Sequence, residues 1–445
     1  MNGLYNRRSL AKMSASMLAA ATTGALGTAL NAKEIQPLET DRMSKPVRAA
    51  WENYLAAIES TRQYLYSRRF IEFDSVRHQA NQLLMQAQAA AYNWVMAPRV
   101  DYPRFYVNTI FEPMVGTWLG PCPDFIYRWA FVDGTQTYRI WGKRSNSRFL
   151  DIQLGSWFGA VDYSQYKKLP TFPYPIDNMQ LEPDGSFEII ASPDPQKGNW
   201  IKLDPAQDRM YLFVREGLHD WEHETRSLLR IERQAKSPPR QIQYNEEDFV
   251  KYLNHASRFI NIIIKDLGVD AFDFALNSAG GRTNTFTYAH SSPSSGGNRN
   301  AAYCNMVYDL TPDQAMIIEF DPPTSKYWGF CLMDRFLCTT DFTYHQSSLN
   351  KHQARIDKDG KYRYVLTKND PGIPNWLDPV DVLPIGYLLF RQYFQDSPIA
   401  IPSVKIVKFE DIRKNLPTDT PAVSAAERSK QLHERSWQML AQYGY

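Results

Sequence analysis

Cysteine is scarce in this 445-residue chain, with four residues in all. They stand as Cys122, Cys304, Cys331 and Cys338, and no C-x-x-C occurs, which removes zinc-ribbon and thioredoxin-type readings. Cys331 and Cys338, seven residues apart, are expected as two separate buried thiols. An excess of one charge is also missing: 50 Lys and Arg against 48 Asp and Glu leave +2. Nucleic-acid binding draws its affinity from clustered cations, so that class is excluded. Outside the first residues, no apolar run approaches the ~20 residues that cross a bilayer. Glycine, at 22, is outnumbered by proline, at 28, and no internal repeat stands out. The Ser-Gly stretch 291–297 lacks the strand-to-helix setting and the Lys of a phosphate loop. No nicotinamide, flavin or haem signature is present, and no cofactor is expected beyond a divalent metal, which stays open.

What the chain has in quantity is aromatic: 23 Phe, 26 Tyr and 11 Trp. That content fits a strand-rich globular protein. Residues 1–32 read separately. Arg7-Arg8-Ser9-Leu10-Ala11-Lys12 precedes an uncharged stretch rich in Ala, Thr and Gly, the pattern of a twin-arginine export signal. Loss of Arg7, Arg8 and Lys12 with it would take the formal charge from +2 to −1. The expected location is periplasmic or secreted, or cytoplasmic if this leader is no signal.

The remainder divides into residues 45–240, a helical segment plus a first β domain, and 241–445, a helix plus a C-terminal β-sandwich. Val47, Trp51, Leu55 and Ile58 recur at helical spacing, as do Leu83, Leu84, Ala87, Ala90 and Ala91. From Phe105 the period falls to two. Strands are expected at 127–132, 138–141, 149–154, 187–191, 211–215 and 228–233. A helix over 246–267 should end at Gly268. Strands resume at 303–310, 316–320, 328–333, 362–366, 387–393 and 404–409, with a hairpin turn at Asp357–Gly360 and a closing helix from Ser424 to Tyr443. The sum is an α+β chain with two antiparallel β regions.

Several blocks carry a resemblance. They are Gly198-Asn199-Trp200, Tyr211–Glu216, Asp220-Trp221-Glu222, Asp309–Ala315, Tyr327-Trp328-Gly329-Phe330, Gln346–Asn350 and Asn369–Asp378. In this order they are similar to bacterial proteins of the domain of unknown function 1214 family, over roughly residues 45–440. The resemblance implies a jelly-roll-like C-terminal sandwich and no established reaction.

Chemistry must therefore be sought in particular residues. His219-Asp220-Trp221-Glu222-His223 fits H-x-x-E-H, which needs two His one helical turn apart to hold zinc. Here it falls between strands, so His219 and His223 are weak metal candidates. Ser348-Leu349-Asn350-Lys351 fits S-x-x-K, and a structural turn is the favoured reading. The densest polar stretch runs from Arg335 to Asn350. Asp341, Tyr344 and His345 are its acid–base candidates, and Arg335 could clamp an anion. Asn350, Trp328 and Trp376 would complete a substrate wall, although Trp in such corners is commonly a core plug. The Asn199-Trp200 and Asn375-Trp376 corners carry the same ambiguity, with a sugar platform as the sharper alternative. Two functions follow. One is proton-transfer chemistry (hydrolysis, isomerisation or elimination) on a small organic or carbohydrate-like molecule. The other is non-catalytic binding of a small molecule or glycan, or homo-oligomeric assembly.

Overall fold

The computed structural model describes residues 43–113, 116–161, 169–235, 244–290, 298–395 and 401–444. The leader 1–32 and the Ser-Gly loop 291–297 lie outside the described residues. The chain opens with helices α1 (Lys45–Tyr66) and α2 (Asp74–Ala91). Strands β1 (Phe125–Val132), β2 (Tyr138–Lys143), β3 (Phe149–Ser156), β4 (Thr171–Pro175), β5 (Ser186–Ser192), β6 (Trp200–Lys202), β7 (Met210–Gly217) and β8 (Leu228–Arg233) follow. Next come α3 (Glu246–Ile262) and α4 (Ala271–Ser278). The later strands are β9 (Thr287–His290), β10 (Ala301–Asp309), β11 (Gln314–Phe320), β12 (Ser325–Met333), β13 (Ser348–Asn350), β14 (Tyr362–Thr367), β15 (Trp376–Leu377), β16 (Ile385–Gln395) and β17 (Ser403–Lys408). Helix α5 (Ala425–Tyr443) closes the chain.

The strands form four sheets, in the orders β1-β7-β3-β4, β6-β5-β2-β8, β13-β12-β16-β10-β9 and β15-β14-β11-β17. The fold class is α+β, with a β-rich C-terminal part. The first two sheets face each other across Val132, Ile140, Ile152, Ile189, Leu212 and Ile231. The last two enclose Met306, Ile318, Trp328, Phe330, Tyr364 and Phe390. Period-two alternation explains both cores, because every second side chain of a strand points to one face.

In the sheet β1-β7-β3-β4, strands β1, β3 and β7 are buried on both faces, and the polar side chains among them, such as Asp151, Gln153 and Glu216, are buried with the apolar ones. Its second face, bearing Phe125, Tyr127, Trp129 and Phe213, packs against Trp94 and Phe259 of the helical layer. The Trp129 and Phe213 rings stack at 3.9 Å across paired strands. Much of the aromatic surplus is thus structural cement between sheet and helices.

Two helix expectations are corrected. In α1 the buried positions are Ala50, Ala57, Thr61 and Leu65, whereas Trp51 and Leu55 are exposed. Tyr54, Ile58 and Tyr64 of the same helix pack against the core while only partly buried. Gly268 does not end a helix. The chain continues through a π-helical segment, Ile263–Asp270, into α4. A Cβ at Gly268 would come within 3.0 Å of Trp118, so the glycine permits a close approach. The closing helix follows its sequence signals. The Ser424 hydroxyl accepts from the Glu427 amide, Glu427 reaches back, and Gly444 ends the helix at φ 84°.

Candidate functional site

A cleft of about 360 Å³ lies between α2, the segment 113–117 and the turn 341–344. Its polar lining comprises Gln82, Gln86, Thr117, Asp341, Thr343 and Tyr344. Gln82 and Gln86 stand one helical turn apart on α2, beside the buried stripe of Leu83, Ala87 and Ala90. The floor is zipped together. The Thr339 amide donates to Thr117 O (2.8 Å), the Thr117 hydroxyl donates to Thr339 O (2.6 Å), and the Gly120 amide donates to Leu337 O (2.8 Å).

Buried Asp334 shapes the approach to the 341–344 turn. Its Oδ1 accepts from the Phe336 and Cys338 amides at 2.8 and 2.9 Å, folding residues 334–338 into a tight turn. Burial pushes its carboxyl up to about 6 against those two amides. Asp341 then repeats the device at the surface. Its Oδ1 accepts from the Thr343 and Tyr344 amides at 2.8 and 3.1 Å. Such Asx turns compete with strand pairing, which is why 341–347 forms no strand and its side chains do not alternate between two faces.

The predicted site residues separate by depth. Asp341 and Tyr344 line the cleft, and Tyr344 is 53% exposed. His345 is turned elsewhere, with Nδ1 2.8 Å from Asp378 Oδ2. Arg335 is buried, its guanidinium 5.8 Å from the Phe73 ring, and its Nε and Nη2 lack partners among the described residues. It does not line the cleft, and no cation does among the described residues. Trp328 is fully buried in the second core, edge-on to Phe320 and Tyr362, and is no cleft wall. Trp376 is also a plug. Its indole donates to Thr367 O at 2.9 Å and its ring carries the Arg428 guanidinium at 5.3 Å.

Asn350 belongs to a different assembly, a buried polar hub joining the two sandwiches. Asp124 Oδ1 accepts from the Trp221 indole (2.8 Å) and from Asn350 Nδ2 (2.7 Å). Asp124 Oδ2 accepts from the Tyr327 hydroxyl (2.5 Å), which also lies 3.0 Å from Cys122 Sγ. Asn350 donates its second hydrogen to His219 O (3.0 Å) and accepts from the His352 and Gln353 amides. Arg435 of α5 lies 4.5 Å from the Trp221 ring centroid and donates to Phe342 O and Ser348 Oγ. Burial pushes the Asp124 carboxyl and the Cys122 thiol up, while three donors pull Asp124 back. The S-x-x-K serine, Ser348, is therefore a ligand of Arg435.

His219 stacks on Tyr327 at 5.1 Å, and burial with the nearby charges of Arg148 and Lys351 pushes its imidazole down to about 3. His223 is exposed, with Nδ1 2.8 Å from Asp220 Oδ2. The segment is a turn, so the two rings do not sit on one helical face. Among the described residues no group of three or more His, Cys, Asp and Glu is placed to hold a metal. All four cysteines are free thiols.

Sequence reasoning missed Gln82 and Gln86, which carry no signal beyond helical spacing, and Thr117, which lies in an irregular segment. It also missed Arg435, whose position three turns into an amphipathic helix looks like an ordinary solvated cation. No family model and no curated protein matches the chain. A crystal structure of an uncharacterized protein from Burkholderia cenocepacia is similar in fold. It has TM-score 0.73 and 23% identity, over 82% of this chain and 99% of that one. A Vibrio parahaemolyticus protein structure, at 12% identity over 82% of this chain and all of that one, has TM-score 0.42 and carries no argument. The first likeness shows the fold alone. No helix among the described residues is long and apolar enough to cross a membrane.

Proposed function

We propose that this chain is an exported, non-catalytic binding protein for a small polar organic molecule, held between α2 and the 341–344 turn. The observation behind this reading is the composition of the cleft. Among the described residues, one carboxylate, one phenol, two amides and two hydroxyls line it, with no histidine, no second carboxylate and no cation. General acid–base catalysis needs groups at hydrogen-bond reach of one another or of the same substrate atom. Recognition needs only convergent donors and acceptors in about 300–1,000 Å³. With Arg335 withdrawn, carboxylate ligands are disfavoured, and neutral polyols or amines fit. Asp341 would accept their hydroxyl or ammonium hydrogens, and Tyr344 would supply an apolar face. The twin-arginine-like leader supports periplasmic location, and the block pattern supports kinship with the domain of unknown function 1214 family.

Proton-transfer catalysis is the second reading, favoured by the His345–Asp378 pair. A carboxylate 2.8 Å from an imidazole one residue from Tyr344 is how a general base is oriented. A thermal-shift screen of the full chain against polyols, sugars, amines and carboxylates tests the binding reading. A ligand at a hundredfold excess over its Kd stabilises by about 2.7 kcal/mol, or about 3 °C for ~400 residues. The shift should vanish in Asp341→Asn without change in the unliganded Tm. A hit insensitive to Asp341→Asn and Tyr344→Ala, or hits confined to carboxylates, would sink the assignment. Turnover of a hit, lost in His345→Gln, would transfer it to the second reading.

A further inference from the structure

The other sharply defined trough lies far along the chain from Asp341, on the first sandwich. Unlike its partner, the sheet β6-β5-β2-β8 is buried on one face only. Its inward side chains, Tyr138, Ile140, Phe187 and Ile189, belong to the core. The outward ones, Arg139, Trp141, Glu188 and Ile190, are exposed or half-exposed. They floor a trough of about 480 Å³ whose rim includes Gln180 and Lys197–Asn199.

Three features define its ligand. First, Trp141 is held in place: the Arg139 guanidinium lies 4.7 Å from its ring, and Arg139 Nε donates to Glu188 Oε2 at 2.7 Å. Second, the rim is rigid. Asn199 Nδ2 donates to Gln180 O (2.8 Å) and Glu188 O (3.0 Å), and Asn199 Oδ1 accepts from the Gln180 amide (2.8 Å). Trp200, the other ring of that corner, donates its indole N–H to Ser192 O and is a plug. Third, the lining is electrically balanced, with Arg139 and Lys197 against Glu182 and Glu188. Balance argues against an ionic ligand such as a nucleic acid. The floor lies on the outward face of β2 and β5, whose backbones are already paired on both sides, which argues against a peptide adding there as a further strand.

An indole in a shallow neutral trough edged with amides and carboxylates suits a pyranose, whose C–H face is apolar and whose rim is hydroxyl. We propose that this trough is a second binding surface, taking a neutral oligosaccharide whose ring packs against Trp141. It is independent of the Asp341 cleft, and either assignment can fail alone.

Calorimetric titration of the full chain with cellohexaose, maltohexaose, chitohexaose and hexagalacturonate tests it. At least one neutral hexamer should bind, with an affinity that is flat in salt and unchanged by Asp341→Asn. Trp141→Ala should weaken that binding about tenfold or more, and the exposed-rim variant Gln180→Ala should weaken it severalfold should the first not fold. No binding by any neutral hexamer would overturn the proposal. So would preference for hexagalacturonate, or a hexamer affinity that Trp141→Ala and Gln180→Ala leave intact.

Discussion

Asp334 provides a quantitative test of how the approach to the cleft is built. Its carboxyl is buried and ordinarily ionises at 3.8, but burial raises it to about 6 in the folded chain. Below about pH 3 the group is protonated in both folded and unfolded states and costs nothing. As pH rises from there toward 6 the unfolded chain ionises first, so the folded state binds the extra proton and its stability falls. Two decades of proton affinity correspond to about 3 kcal/mol, lost progressively across that window and complete above it. Asp334→Asn keeps an Oδ1 to accept the Phe336 and Cys338 amides and does not titrate. The stability of the Asn variant relative to wild type should therefore rise by about 2 kcal/mol between pH 4 and pH 7. Urea unfolding of both proteins at pH 4, 5, 6 and 7, followed by tryptophan fluorescence, measures this difference, and all other titrating groups cancel. Parallel stability curves across the range would refute the argument, because Asp334 would then ionise as it does in the unfolded chain.

Two further substitutions probe the hub and the core. Tyr327→Phe preserves ring packing but removes, among the described residues, the only donor within 3 Å of Asp124 Oδ2, and should cost about 1–3 kcal/mol in the same assay. A neutral result would mean that Asp124 is satisfied without the phenol. Trp328→Ala should cost about 3–5 kcal/mol, since the indole is fully buried, and leave the affinity of any ligand of the Asp341 cleft unchanged. A loss of affinity at constant stability would restore Trp328 to the cleft wall.

The legible parts of this fold were those set by local periodicity and local chemistry. Strands such as β1, β3 and β7 announced themselves as aromatic and β-branched runs, and Ser424 with Glu427 announced α5. The short strands β4 and β6 did not, because β4 carries Pro173 and Pro175 and β6 has only three residues. The face of α1 was misread for a physical reason. Ala50, Ala57 and Thr61 are buried but carry little hydrophobic signal, so a stripe built from them does not stand out against Trp51 and Leu55. At the site, polar density at 335–350 drew attention correctly to Asp341 and Tyr344. It gave no means of telling them from Arg335 and Asn350, since depth is fixed by residues far away in sequence. Asn350, for example, is buried because Asp124 and His219 receive its hydrogens.

The same long-range partners explain what the recognisable sequence blocks are for. Trp221 and Asn350 meet at Asp124, and Tyr327 completes that acid's shell. Gln346 donates to Pro374 O and Trp376 O and accepts from Arg428, which in turn holds Asp370. The blocks thus recognise one another. A buried acid or amide needs every one of its partners in place, because an orphaned polar atom costs about 1–3 kcal/mol. Such joinery restricts sequence tightly while exposing almost nothing to a ligand. The cleft and the trough are lined mostly by residues outside it: Gln82, Gln86 and Thr117 in one, Arg139, Trp141 and Gln180 in the other. On the proposed binding reading, ligand specificity would therefore change at those positions without disturbing the hub. Proteins sharing these blocks are expected to share the two-sandwich frame and to differ in what they bind.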